Sequence, residues 1–167
     1  MLIQKKIGNI AIYELASRPI DWLQLEWFEA GKRILRRNTQ SGRELALKFL
    51  AEHSGLTQGD IIYEDEQSVI AIEILPCECM VVKPVNMFEM ASACYEIGNK
   101  HLPLYFDANC LLVPLELPLY KLLTAQGYTV SVENRRLLQP LKTTVAPHGN
   151  GNESLFTRIM KMTHSNE

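Results

Sequence analysis

Apolar residues in the first part of the chain recur with a period of two. Trp22-Leu23-Gln24-Leu25-Glu26-Trp27 places Leu23, Leu25 and Trp27 on one face, and Arg43-Glu44-Leu45-Ala46-Leu47-Lys48-Phe49 does the same with Leu45, Leu47 and Phe49. That alternation predicts half-buried strands. Leu2 to Tyr13 is Ile-rich and also reads as β, as do Ile61-Ile62-Tyr63 and Val69 to Ile74. Asn38 to Gly42, Gly59-Asp60 and the acidic Glu64 to Gln67 have turn composition. Short strands with regular turn signals predict a small all-β domain over residues 1–75, a sandwich or barrel of about six strands.

The pattern changes near Leu75-Pro76, and from there to about residue 146 the order becomes strand, helix, strand, strand, helix, strand. Cys79 to Lys83 is the first strand. Asn86 is a candidate N-cap with Glu89 completing a capping-box-like pair, and Gly98 a candidate helix stop. Met87, Met90, Ala91, Cys94 and Ile97 form the expected buried stripe of this helix. Leu104-Tyr105-Phe106 and Cys110 to Val113 flank the turn-like Asp107-Ala108-Asn109. Pro118 opens a second helix with Leu119, Leu122 and Leu123 inward and Gly127 as its stop, and Thr129 to Glu133 is the last strand. A βαββαβ order is the ferredoxin-like split motif, which makes the chain α+β overall.

Periodicity is lost beyond Pro140. Residues 147–167 read as a flexible tail that opens on the linker Pro147-His148-Gly149-Asn150-Gly151-Asn152. Within it Leu155, Phe156, Ile159 and Met160 share a helical stripe, too short to be a stable helix alone and a candidate docking surface for a partner.

Composition excludes several classes. A formal net charge of −2 attracts neither nucleic acid nor an anionic membrane over long range, and no apolar run approaches the roughly 20 residues of a bilayer span. Gly8 and Asn9 interrupt the start of the chain before an export signal can form, so a cytoplasmic location is expected, with Cys77, Cys79, Cys94 and Cys110 reduced. Cys77 and Cys79 share one face of a strand, but no second Cys-x-x-Cys pair accompanies them, and burial as inert thiols is the favoured reading. Lys32, Arg33, Arg36 and Arg37 read as a solvated face or a partner-binding patch. No phosphate-binding Gly-x-x-x-x-Gly-Lys loop is present, and no Ser–His–Asp or paired-carboxylate pattern argues for an enzyme.

Histidine is scarce, with four in 167 residues. His101 follows the Gly98 stop and precedes Pro103, at the edge of an element and outside the expected core. Spacing alone leaves two readings open, a residue that compensates the helix dipole or bonds the last carbonyls, and a metal ligand. His53 reads as a loop histidine and His164 as a solvated residue near the end.

The string Glu96-Ile97-Gly98-Asn99-Lys100-His101 resembles the signature of UreE-type urease accessory proteins, and so does Asp21 to Trp27 followed by Lys32 to Arg37. The resemblance spans about residues 15–145. It implies a nickel metallochaperone in which His101 binds Ni(II), with Zn(II) or Cu(II) as substitutes in vitro. It also implies two small packed sheets in the first domain, similar to the peptide-binding domains of DnaJ-type chaperones, and a ferredoxin-like second domain. The implied partners are the GTPase-containing urease maturation complex and apo-urease. One imidazole does not hold a divalent ion against water, so a two-fold homodimer that pools two copies of His101 is expected, with a dimer of dimers as a further metal-bound state. His148, on its Gly/Asn tether, is the candidate additional ligand. Glu96 stands where some members carry a histidine, Lys100 where arginine is frequent, and no histidine lies between His101 and His148, so about one metal per dimer is expected. The alternative is a non-metal co-chaperone or protein-interaction module of the same maturation complex.

Overall fold

Alternation in the first part of the chain is resolved by two small sheets laid face to face. The computed structural model describes residues 1–49 and 55–141. Seven strands lie in the first part of these described residues: β1 (Leu2–Ile3), β2 (Gly8–Asn9), β3 (Ile20–Leu25), β4 (Ile34–Asn38), β5 (Glu44–Lys48), β6 (Asp60–Glu64) and β7 (Val69–Ile74). One sheet has the order β1-β5-β4 and the other β2-β6-β7-β3. Leu23 and Leu25 from one sheet and Leu45 and Leu47 from the other meet in a common core with Ile70 and Ile72. All six are buried, as their period-two positions require. The Ile-rich start is not one continuous strand: only Leu2–Ile3 and Gly8–Asn9 pair, and they join different sheets.

The second part contains β8 (Cys77–Val82), α1 (Met87–Asn99), β9 (Tyr105–Asp107), β10 (Cys110–Pro114), α2 (Leu117–Ala125) and β11 (Val130–Arg135). The sheet order β11-β8-β10-β9 with antiparallel neighbours is the ferredoxin-like arrangement read from the sequence. Strand alternation divides its side chains cleanly. Met80, Val82, Leu111 and Val113 face both helices, through Ala93 and Ile97 of α1 and Leu119 and Leu123 of α2. Cys79, Val81 and Leu112 point to the opposite face, where Tyr105 and Leu137 cover them.

This second face is also where the two parts of the chain touch. Trp27 meets Tyr105 edge-on with ring centroids 6.2 Å apart. The Arg136 guanidinium donates to the Ile74 carbonyl at 2.8 Å and to the Glu73 carboxylate at 3.0 Å.

Helix α1 departs from the sequence pattern in two ways. Its N-terminus is capped as expected, with the Asn86 side chain accepting from the Glu89 N–H at 2.9 Å while the Glu89 carboxylate accepts from Val85 N–H. Its buried residues, however, are Ala93 and Ile97 with Met90 and Cys94 beside them, whereas Met87 is 81% exposed. Ala91 is exposed too. Nor does Gly98 stop the helix. It lies inside the last turn, and the left-handed residue that ends the helix is His101, with φ 55°. A Cβ at Gly98 would meet no atom within 4 Å. Gly98→Ala is therefore expected to stabilise the fold by about 0.5–1 kcal/mol, as alanine does at a solvent-facing helical glycine. A rise in the urea midpoint checks this; a true left-handed stop would show a fall. At α2 the stop read from the sequence holds, with Gly127 at φ 88°.

Candidate metal centre

His101 owes its place to the way α1 ends. The last turn tightens, with the Lys100 N–H donating to the Ile97 carbonyl at 3.1 Å and the His101 N–H to the Gly98 carbonyl at 2.9 Å. Pro103 then disfavours further helix and sends the chain into β9. Histidine is one of the few side chains that enter the left-handed region with any frequency. The imidazole is exposed.

Two further features of this domain bear on His101. The first is the exposed flank of α1, where Phe88 and Tyr95 are 80% and 70% exposed. With Ala91, Ser92, Glu96 and Tyr128 they line a shallow groove of about 550 Å³. The spacing of Phe88, Ala91 and Tyr95 marks a second apolar stripe, and it competes with the Ala93–Ile97 face for the same helix. The second feature is the segment after β11. Residues 139–141 run antiparallel along β9, with Phe106 N–H donating to the Gln139 carbonyl at 3.1 Å and Leu141 N–H to the Leu104 carbonyl at 2.8 Å. Pro140 bridges to Tyr105 in the same antiparallel sense. Leu141 is thus bonded to a residue three positions after His101.

His148, the other candidate ligand, lies outside the described residues, as do His53, His164 and the Leu155–Met160 stripe. Among the described residues no three His, Cys, Asp or Glu side chains are grouped to hold a metal ion. The cysteines near the strand start belong to packing. Cys79 is fully buried and its thiol is pushed up to about 11, chiefly by desolvation, while burial also raises the half-buried Cys77. In the basic cluster, Arg37 and Lys32 both pair with the buried Glu29 carboxylate, which leaves Arg33 and Arg36 as its exposed, unassigned members. Glu29 carried no signal in the sequence, because its partners lie three and eight residues away across a turn.

Comparison with known proteins covers both halves. Residues 3–75 match the model of the UreE urease accessory protein N-terminal domain, and residues 77–155 match that of its C-terminal domain. A urease accessory protein UreE from Flavobacterium johnsoniae is 42% identical over 163 residues, 97% of this chain and 99% of its own length. One from Haemophilus influenzae (strain PittGG) is 38% identical over 149 residues, 87% of this chain and 80% of the relative. One from Acetivibrio thermocellus is 33% identical over 141 residues, 84% of this chain and 92% of the relative. Fold and matches together define a two-domain accessory protein, with a β-sandwich followed by a ferredoxin-like domain, and not an enzyme. The chain belongs to the UreE family of urease accessory proteins.

Proposed function

We propose that this protein carries Ni(II) to urease during active-site assembly, with the metal held between two copies of the chain by His101 and joined by His148. The observation that supports this best is the position of His101. It stands, exposed and in a left-handed backbone, at the end of a helix whose outward flank is apolar through Phe88, Ala91 and Tyr95. Apolar surface of that kind, rimmed by polar residues, marks an interface. An isologous dimer whose two-fold axis passes by the His101 end of this flank would bring each His101 beside its own copy. A ligand set built on His101 needs that second copy or residues outside the described ones, since the described residues of one chain group no three donors. Residues 139–141 support the latter, since Leu141 is bonded to Leu104, three positions after His101, and His148 follows Leu141 by seven residues.

The second domain, residues 76–146, is then the dimerising and metal-holding unit. The first domain, residues 1–75, contacts the GTPase-containing maturation complex and apo-urease, with the tail 147–167 reaching over the metal. Zn(II) and Cu(II) compete in vitro, because imidazole does not discriminate among these ions by raw affinity. The work is cytoplasmic, in keeping with four free cysteines.

Native mass spectrometry of the metal-free chain with added Ni(II) tests oligomer and metal count at once. A dimer that gains one tightly held nickel is the expected result, and a chain that takes up nickel no better than scattered surface histidines do would leave the co-chaperone reading. Acid supplies an independent check. Coordination requires neutral imidazole, so nickel affinity is expected to fall as the pH is lowered. Affinity unchanged down to pH 5 points to carboxylate or thiolate ligands.

A further inference from the structure

A second apolar groove lies on the opposite face of the ferredoxin-like sheet, where the two parts of the chain meet. Trp27, Phe28, Leu56, Tyr105, Leu138 and Pro140 are among its walls, and its volume is about 300 Å³. Phe28 and Leu138 are 53% and 37% exposed. A groove of this size is at the low end of pockets that bury small ligands, with room for a few side chains and none for a globular partner.

The chain itself supplies a matching occupant. Pro140 forms part of the wall, and the described chain ends one residue later at Leu141. From Leu141 to His148 is seven residues, and from His148 to Leu155 is seven again. An outward run of seven residues spans at most about 25 Å, and an equal run returns over the same distance. Between them lie Gly149-Asn150-Gly151-Asn152, residues suited to reversing direction. The returning segment begins with Leu155 and Phe156, whose stripe continues at Ile159 and Met160. Such a short amphipathic segment is a marginal helix alone and gains order by burying its apolar face.

We propose that the inter-domain groove is the docking site of this chain's own residues 155–160. The docking does not depend on the carrier reading.

Hydrogen exchange of the full-length, metal-free chain tests the docking. Amides of residues 155–160 are expected to exchange at least about 10-fold more slowly than in an unstructured chain. Phe156→Asp is expected to abolish that protection, and so is Phe28→Asp on the groove wall. Protection of β7 and β8 retained in both variants shows that the fold persists. Residues 155–160 that exchange without protection in the parent chain, or protection that survives Phe28→Asp, overturn the proposal. So does protection that rises with protein concentration, which assigns the groove to a neighbouring copy's tail. A chain that binds no nickel at all leaves the exchange result standing.

Discussion

Replacing His101 with asparagine is expected to lower nickel affinity by more than about 100-fold while the fold and the dimer persist. In the proposed dimer the size follows from symmetry, since one substitution removes two imidazoles from a shared site. Loss of a mere outer-shell partner of a metal typically weakens binding about 10–100-fold, so removal of the ligands themselves must exceed that range. The choice of asparagine follows from the backbone. At φ 55° the residue is left-handed, a conformation that costs most L side chains about 1–2 kcal/mol but that asparagine tolerates. His101→Ala would mix loss of the ligand with strain at the helix end; His101→Asn isolates the ligand. Calorimetric titration with Ni(II), accompanied by sedimentation to confirm the dimer, checks the outcome. Affinity within a factor of ten of the parent would place the metal elsewhere.

Ile97→Ala is expected to have the largest effect on stability. Ile97 is fully buried between α1 and the sheet, beside Met80, Leu111 and Leu119. Truncating such a side chain removes transfer free energy and leaves a cavity, at a cost of about 2–5 kcal/mol. Natural domains have about 5–15 kcal/mol in total, so the urea midpoint should fall sharply with an unchanged slope. Met87→Ala provides the contrast. The sequence pattern places Met87 on the same stripe as Ile97, yet it is 81% exposed. Its truncation is expected to stay within about 0.5 kcal/mol, the usual range for a surface position. Equal losses from the two variants would contradict the seating of α1 on its sheet.

These variants mark where the sequence was legible. The strands β3 and β5 were readable because each buries one face, and period two shows that directly in Leu23 and Leu25 and in Leu45 and Leu47. The same holds for the order of elements after Pro76, since capping residues and proline punctuate it locally. The buried face of α1 was readable only in part. Its sequence contains two apolar stripes, one through Ala93 and Ile97 and one through Phe88 and Tyr95, and periodicity cannot rank them. Packing against Met80 and Val82 chooses the first; the second is left on the surface, where the proposed dimer uses it. His101 was visible through the family resemblance of Glu96 to His101, while its left-handed backbone was hidden because Gly98 offered the stronger stop signal.

The sequence by itself determined both helices, the strands that bury one face, their order, and the membership of the family, since periodicity, caps and motif strings are all local properties of the chain. Only the tertiary structure decided which side of α1 is core and that β3 pairs in parallel with β7 across more than forty intervening residues. It also decided that residues 139–141 lie along β9, more than thirty positions away in the chain. Each of these joins residues far apart along the chain or selects between equal local patterns, and such selections follow from the burial available in the assembled fold and not from any local period.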